Sequence, residues 1–188
     1  RDNGNGGNVT LNVLGGTYDY VFGGSKGVSD TPANIEGNVT LNLHGGTIVD
    51  AFGGSDVNGN IRGIITVNVL DTVTPCPLQV DTVYGAGRDA AYTPDNLASG
   101  VKPVSPNVNI QHATIGHGTG STAVPGCVFG GGKGATATVT AHPYVIIGEL
   151  NTLYYPDGTT EIPTLATVTG DVYGGGNAAA VVGGATVL

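Results

Sequence analysis

Val21-Phe22-Gly23-Gly24 is the stretch that decides the fold, because the same pattern returns four more times along the chain. Each copy consists of a small apolar residue, an aromatic residue and then two small residues. Successive aromatic residues are 30, 32, 45 and 44 positions apart. A unit that returns at such intervals, with occasional insertions, predicts an architecture of stacked structural repeats. The aromatic residues of the five copies are Phe22, Phe52, Tyr84, Phe129 and Tyr173.

A second motif precedes the first three aromatic copies. The segment 8–13 reads Asn-Val-Thr-Leu-Asn-Val, with apolar residues at alternate positions, and closely similar segments occupy 38–43 and 64–69. Strict alternation predicts half-buried strands. If the copies stack in phase, equivalent side chains form columns. The expected columns are Val9/Val39/Ile65 and Leu11/Leu41/Val67 facing inward, and Thr10/Thr40/Thr66 and Asn12/Asn42/Asn68 facing outward.

Composition limits the classes of protein that fit this chain. It has 188 residues, of which 11% are charged and 34 are glycine, and its formal net charge is −8. Nucleic-acid binding requires a basic surface that six Lys and Arg residues do not supply. No apolar run approaches the ~20 residues needed to span a bilayer. The chain lacks both an initiator Met and a signal peptide, so we expect a segment or mature form of a longer precursor.

The two motifs resemble the Gly-Gly-rich repeats of large bacterial surface proteins. The resemblance is carried by residues 37–47, 128–132 and 172–176. It implies a right-handed parallel β-helix in an extracellular, adhesin-like or fibre-forming protein. The in-phase columns agree with stacked parallel strands. We therefore expect one β-solenoid domain over residues 1–188, with about five rungs and a partial sixth. A β-sandwich is the alternative, although it has no reason to repeat side chains in phase.

Three segments interrupt the pattern and are expected to be insertions, at about 71–78, 89–106 and 144–164. The second is rich in Pro, Asp, Asn and Ser, as surface loops are. Within the third, Pro156-Asp157-Gly158 predicts the turn of a β-hairpin. Tyr154 and Tyr155 on that hairpin are candidate residues for binding sugars or proteins, because aromatic side chains suit both kinds of contact. Packing of both tyrosines against the body of the protein is the alternative.

Four aspartates are candidates for chemistry, because each stands two or three residues before an aromatic copy. If Asp19, Asp50, Asp81 and Asp171 cluster, they could serve a glycosidase, which needs paired carboxylates, or bind Ca²⁺ through their oxygens. Solvated carboxylates at strand ends are the alternative. The sequence contains no calcium-binding nonapeptide repeat, and its four histidines lack the spacing of a zinc site. We expect no cofactor other than Ca²⁺.

Cys76 and Cys127 are the only cysteines, and they could form one disulfide in an oxidising compartment. Two buried thiols are the alternative. Asn8 and Asn38 occupy N-glycosylation sequons, which also fit the repeat consensus. Two further segments, at 71–73 and 81–83, resemble an Asp-Ser/Thr-apolar acceptor of bacterial O-glycosylation, with Thr72 and Thr82 as the acceptor residues.

Five residues lie four positions after the aromatic copies and define one more expected column. An acidic residue between two basic residues would offset the repulsion between like charges along this column. The members are Lys26, Asp56, Arg88, Lys133 and Asn177. We expect these side chains to be exposed and their pairing to mark the register.

The function expected from these observations is structural or adhesive. The chain begins and ends on the same phase of the pattern, so we expect head-to-tail self-association, with surface glycans or host proteins as further partners and a secreted or bacterial cell-surface location. A polysaccharide lyase or glycosidase is the alternative. Binding to ice or another crystalline surface through the threonine columns is a further alternative. No site typical of an enzyme stands out.

Overall fold

The computed structural model describes residues 7–73, 75–148, 154, 158–161 and 165–188. These residues form β-strands joined by turns and loops, with one 3₁₀ turn at Gly120–Thr122 and no α-helix in the described ranges. No helix in the described residues is long and apolar enough to cross a membrane. The strands are β1 (Val9–Phe22), β2 (Val39–Phe52), β3 (Ile65–Leu70), β4 (Leu78–Tyr84), β5 (Val104–His117), β6 (Val124–Pro125), β7 (Cys127–Phe129), β8 (His142–Ile147), β9 (Ala166–Val168), β10 (Val172–Tyr173) and β11 (Thr186–Val187).

The strand registers confirm the expected columns. Val9 pairs with Val39 and Val39 with Ile65 in parallel strands β1, β2 and β3, and the neighbouring columns follow in step. The apolar column that starts at Leu11 continues beyond the three predicted members and ends at Val187. In the first two copies the two motifs form one long strand each, β1 and β2, whereas in the third copy they form the separate strands β3 and β4. In β1 the register shifts between Val13 and Thr17, where Gly15 and Gly16 interrupt the alternation.

The closure of the sheet contradicts the predicted fold class. β2 pairs with β3 through its first half and with β4 through its second half. β5 also pairs with both β3 and β4, so the pairings β2–β3–β5–β4 return to β2. The protein is all-β, but these strands form a closed four-strand parallel barrel. The prediction of an open right-handed parallel β-helix with repeated rungs is therefore wrong.

The interior of the sheet is apolar and almost fully buried. Val, Ile and Leu residues from β1 to β5 and from β8 form the main core, while the aromatic residues form a second cluster of their own. Alternating polar residues on the same strands are more exposed, as the sequence pattern predicts. Burial of these branched side chains contributes roughly 1.5–3 kcal/mol each relative to exposure.

An asparagine ladder runs along the outer surface of four strands. The side-chain amide of each Asn donates to the carboxamide oxygen of the preceding one, at 2.8 Å from Asn42 to Asn12, 2.8 Å from Asn68 to Asn42 and 2.9 Å from Asn109 to Asn68. The predicted column of three thus has a fourth member. These bonds fix the register on the polar side of the strands, where apolar packing does not.

Two of the predicted insertions are tied into the body of the protein. In the segment 89–106, Tyr92 is buried and its hydroxyl donates to the Gly63 carbonyl at 2.8 Å. It also lies 2.5 Å from the Ser105 hydroxyl, and the Ser105 oxygen accepts from the Ile65 amide at 2.9 Å. The expected surface loop is thus anchored in the core. In the segment 144–164, the first residues belong to β8, and an antiparallel bridge between Tyr154 and Glu161 confirms the hairpin.

Candidate functional site

A groove of about 620 Å³ opens on one face of the sheet and is the first candidate site. Its floor consists of polar side chains from β1, β2, β4 and β5, namely Thr17, Thr47, Gln79 and Thr114. Thr17 pairs with Thr47 and Thr47 with Gln79, and Thr114 directly precedes the Ile115 that pairs with Val80. The floor is therefore one column of neutral hydrogen-bonding groups across four parallel strands.

The boundaries of the groove come from segments outside the repeated pattern. Pro75, Cys76 and Pro77 lie on one side, in the expected insertion 71–78. The other end is formed by His117, whose Nδ1 lies 2.5 Å from a carboxylate oxygen of Asp81. The Asp81 side chain is 14% exposed and that of His117 is 36% exposed. Sequence reasoning did not find this groove, and its only signal was the insertion with two prolines around a cysteine.

The second candidate site is the aromatic column on the outer side of the sheet. The rings of Phe22, Phe52, Tyr84, Phe129 and Tyr173 stack in that order, with centroid distances of 4.8, 4.6, 5.0 and 4.8 Å and nearly parallel planes. The inner rings are buried, but Tyr173 is 45% exposed. At the other end, the tilted ring of Tyr20 lies beside Phe22, with 6.4 Å between the ring centroids. The column is therefore open to further contact at both ends.

Charged residues cover one flank of the aromatic column. The bridges Lys26–Asp56, Asp56–Arg88, Arg88–Lys133 and Lys133–Asn177 confirm the column predicted four residues after the aromatic positions. The expected exposure is wrong for its acid, because Asp56 is buried between the guanidinium of Arg88 and the ammonium of Lys26, which lies at 4.0 Å. The Arg88 guanidinium also lies 4.3 Å from the Tyr20 ring centroid, a cation–π distance.

Lys133 extends from this column across the aromatic stack. Its ammonium donates to Asp50 at 2.8 Å and lies 5.5 Å from the Tyr84 ring centroid. Burial lowers the pKa of Lys133, but the hydrogen bond to Asp50 and the charge of that carboxylate outweigh burial and hold the pKa above its usual value. Burial likewise raises the pKa of the Tyr84 phenol, whose oxygen accepts from Asn177 at 3.3 Å.

The four candidate aspartates do not form a shared carboxylate site. Asp50 pairs with Lys133, Asp81 with His117, and Asp171 accepts from the Tyr173 hydroxyl at 3.1 Å. Asp19 is exposed at the outer strand β1. Asp50, Asp81 and Asp171 thus each have a different partner. Within the described ranges, no three His, Cys, Asp or Glu side chains are grouped closely enough to hold a metal ion.

The remaining predicted residues are dispersed. Cys76 borders the groove and Cys127 lies in β7, both as free thiols, so the expected disulfide is absent. The carboxamide oxygens of Asn8 and Asn38 accept from the backbone amides of Asn38 and Ile64, which directly precede β2 and β3, so both sequon side chains help to align neighbouring strands.

Thr72 contacts the His44 ring at 3.1 Å, and Thr82 pairs with Asp50 and Cys127 in the sheet. Tyr154 is 50% exposed on the hairpin, whereas Tyr155 lies outside the described residues.

Comparison with known proteins gives no match. No family model, no curated protein and no solved structure is significantly similar to this chain.

Proposed function

We propose that this chain is a structural protein of the cell surface or extracellular space that associates head to tail with further copies of itself. The main observation is that two opposite sides of the sheet end in open strand edges. Among the described residues, β1 pairs only with β2, β10 only with β7 and β11 only with β8. Open edges present unpaired N–H and C=O groups, which are templates for pairing with another chain.

The two sides are matched in residue type, column by column. The apolar column begins at the partly buried Leu11 and ends at Val187, which is 44% exposed. The aromatic column begins at Phe22 and ends at Tyr173. A second copy placed with β1 against β10 and β11 would continue both columns at the normal strand spacing of ~4.8 Å. Because the two contacting surfaces differ, the contact is heterologous and gives an open chain of molecules.

Glycines at the open side leave room for this approach. A Cβ built at Gly24 would lie 2.7 Å from the backbone of Gly54, so β1 and β2 approach closely there. A Cβ at the equivalent Gly175 would meet nothing within 4 Å. The space beside Gly175 therefore fits the backbone of an arriving strand. The low charge and the resemblance to Gly-Gly-rich surface repeats support an extracellular location.

The proposal is tested with two variants that each block one side, Leu11→Lys and Val187→Lys. A lysine in an inward-facing column at a strand edge opposes pairing. We expect wild-type protein to form filaments visible by electron microscopy and to sediment as a series of oligomers, and each variant to remain monomeric. Mixing the two variants should give dimers and nothing longer, since only one compatible pair of sides remains.

The matched control is Leu97→Lys, at an exposed position in the segment 89–106, which should associate as wild type does. Circular dichroism of each variant confirms that the fold is intact. Wild-type protein that stays monomeric at high concentration would refute the proposal, and so would long chains in the mixture.

A further inference from the structure

The groove presents side chains on the sheet face, whereas the open edges present backbone groups. Its floor offers hydroxyl groups from Thr17, Thr47 and Thr114 and a carboxamide from Gln79. No charged side chain belongs to this floor column. The column crosses parallel strands, which are ~4.8 Å apart. A ligand along it would therefore meet one neutral polar group at each strand.

The lining of the groove offers no free charge to a ligand. The His117 ring lies against the Asp81 carboxylate, which occupies its Nδ1. The chain as a whole is acidic, with a formal net charge of −8. An anionic ligand would be repelled at long range. Because the lining contains no carboxylate to hold a cation either, the groove favours an uncharged ligand.

The groove is poorly suited to an extended peptide. Peptides that add to a sheet do so along a free strand edge. The central floor strands β2 and β4 are paired on both sides, so the middle of the groove presents side chains and no unpaired backbone edge. Side-chain hydroxyl and amide groups at regular spacing instead match a ligand with regularly spaced hydroxyl groups.

We propose that this groove binds a neutral oligosaccharide, with the sugar chain running across β1, β2, β4 and β5. One sugar ring is about as long as the ~4.8 Å strand spacing, so consecutive sugars face consecutive members of the floor column. Pro75, Cys76 and Pro77 confine the sugar chain laterally. This site does not depend on head-to-tail association.

Cys76 supplies a direct readout, because its free thiol borders the groove, while the equally free Cys127 lies in β7 away from it. The experiment measures alkylation of both thiols by a maleimide, followed by mass spectrometry of peptides. The probes are short β-linked oligosaccharides of glucose, mannose or N-acetylglucosamine, and an extended Thr/Val peptide. At ten times the dissociation constant, occupancy should slow alkylation of Cys76 about tenfold by mass action, with Cys127 unchanged.

The variants compare two threonine columns of the same protein. Thr47→Val with Thr114→Val removes two floor hydroxyls at nearly constant volume, and protection of Cys76 should be lost. Thr40→Val with Thr66→Val makes the same chemical change on a column outside the groove, and protection should persist.

The proposal is overturned if no oligosaccharide protects Cys76, if Cys127 is protected equally, or if only the peptide protects. Persistence of protection after the floor substitutions overturns it as well.

Discussion

Arg88 holds Asp56 in a bidentate pair, with Nε donating at 2.9 Å and Nη2 at 3.1 Å to a carboxylate that is 4% exposed. The pair links equivalent positions of neighbouring strand connections, and Lys26 approaches the same carboxylate from the other side. A nearly buried carboxylate held this way is costly to leave unpaired. The ion pair therefore fixes the register where the chain turns away from the aromatic column.

Removing this guanidinium should destabilise the protein. We expect Arg88→Met to lower the free energy of unfolding by about 2 kcal/mol, because Asp56 loses two charge-assisted hydrogen bonds. Urea unfolding followed by circular dichroism measures the change. The control is Arg62→Met, since the Arg62 side chain is similarly exposed but its partners Glu36 and Asp95 are mostly in solvent. A loss as large at Arg62 as at Arg88 would show that burial of Asp56 is not the cause.

A substitution inside the asparagine ladder should lower the free energy of unfolding more than a substitution at its end. Asn68→Ala removes one donated and one accepted hydrogen bond, whereas Asn12→Ala removes one accepted bond. At about 1 kcal/mol for each bond, urea unfolding should show roughly twice the loss for Asn68→Ala. Asn68→Asp should resemble Asn12→Ala, because a carboxylate still accepts from Asn109 but cannot donate to Asn42. Equal losses at both positions would count against the ladder.

Stability should fall in alkaline solution because of Tyr92 and Tyr84. Burial raises the pKa of both phenols above the ordinary value of ~10. The unfolded state then releases its protons first, so the stabilisation is complete below about pH 10 and is lost as pH rises through the folded-state pKa. The free energy of unfolding should decrease as the pH is raised from 8 to 12, and the decrease should be less steep for the Tyr92→Phe variant. A steeper decline in the variant would contradict this assignment.

Substitution by alanine should affect thermal stability at only one of two glycines that occupy equivalent positions. A Cβ at Gly54 would lie 2.5 Å from the Gly87 backbone nitrogen, while a Cβ at Gly175 meets nothing within 4 Å. We expect Gly54→Ala to lower the melting temperature strongly and Gly175→Ala to leave it nearly unchanged. In sedimentation, however, Gly175→Ala should associate less than wild type, because the added methyl group occupies the space of an arriving strand. Normal association of Gly175→Ala would place the interface elsewhere.

The sequence predicted which residues align but not how the strands close. Alternation and repetition identify the columns, since side chains with the same environment recur at the same phase. Whether β2 and β5 each pair with both β3 and β4 depends on where a strand of 14 residues changes neighbours, which periodicity does not encode. Closure is therefore a property of the folded structure that the sequence pattern does not reveal.

Contacts between distant positions explain the rest of what sequence analysis missed. Lys133 reaches Asp50 across 83 positions, so the environment of that aspartate could not be inferred from its neighbours. The groove combines Cys76 with His117, two residues that belong to no shared motif. Tyr92 stands in a polar segment typical of loops, and its burial depends on hydrogen bonds to Gly63 and Ser105.

The closed pairing of β2, β3, β5 and β4 should make these strands harder to open locally than the edge strands. An edge strand such as β1 or β11 can detach by breaking pairings on one side only, whereas each member of the circuit has two neighbours to leave. Amide hydrogens should therefore exchange fastest in β1, β10 and β11 and slowest at positions such as Val67 and Val108, with opening free energies that rise toward the circuit. Local unfolding should therefore begin at the edge strands, and the four strands of the barrel should open last.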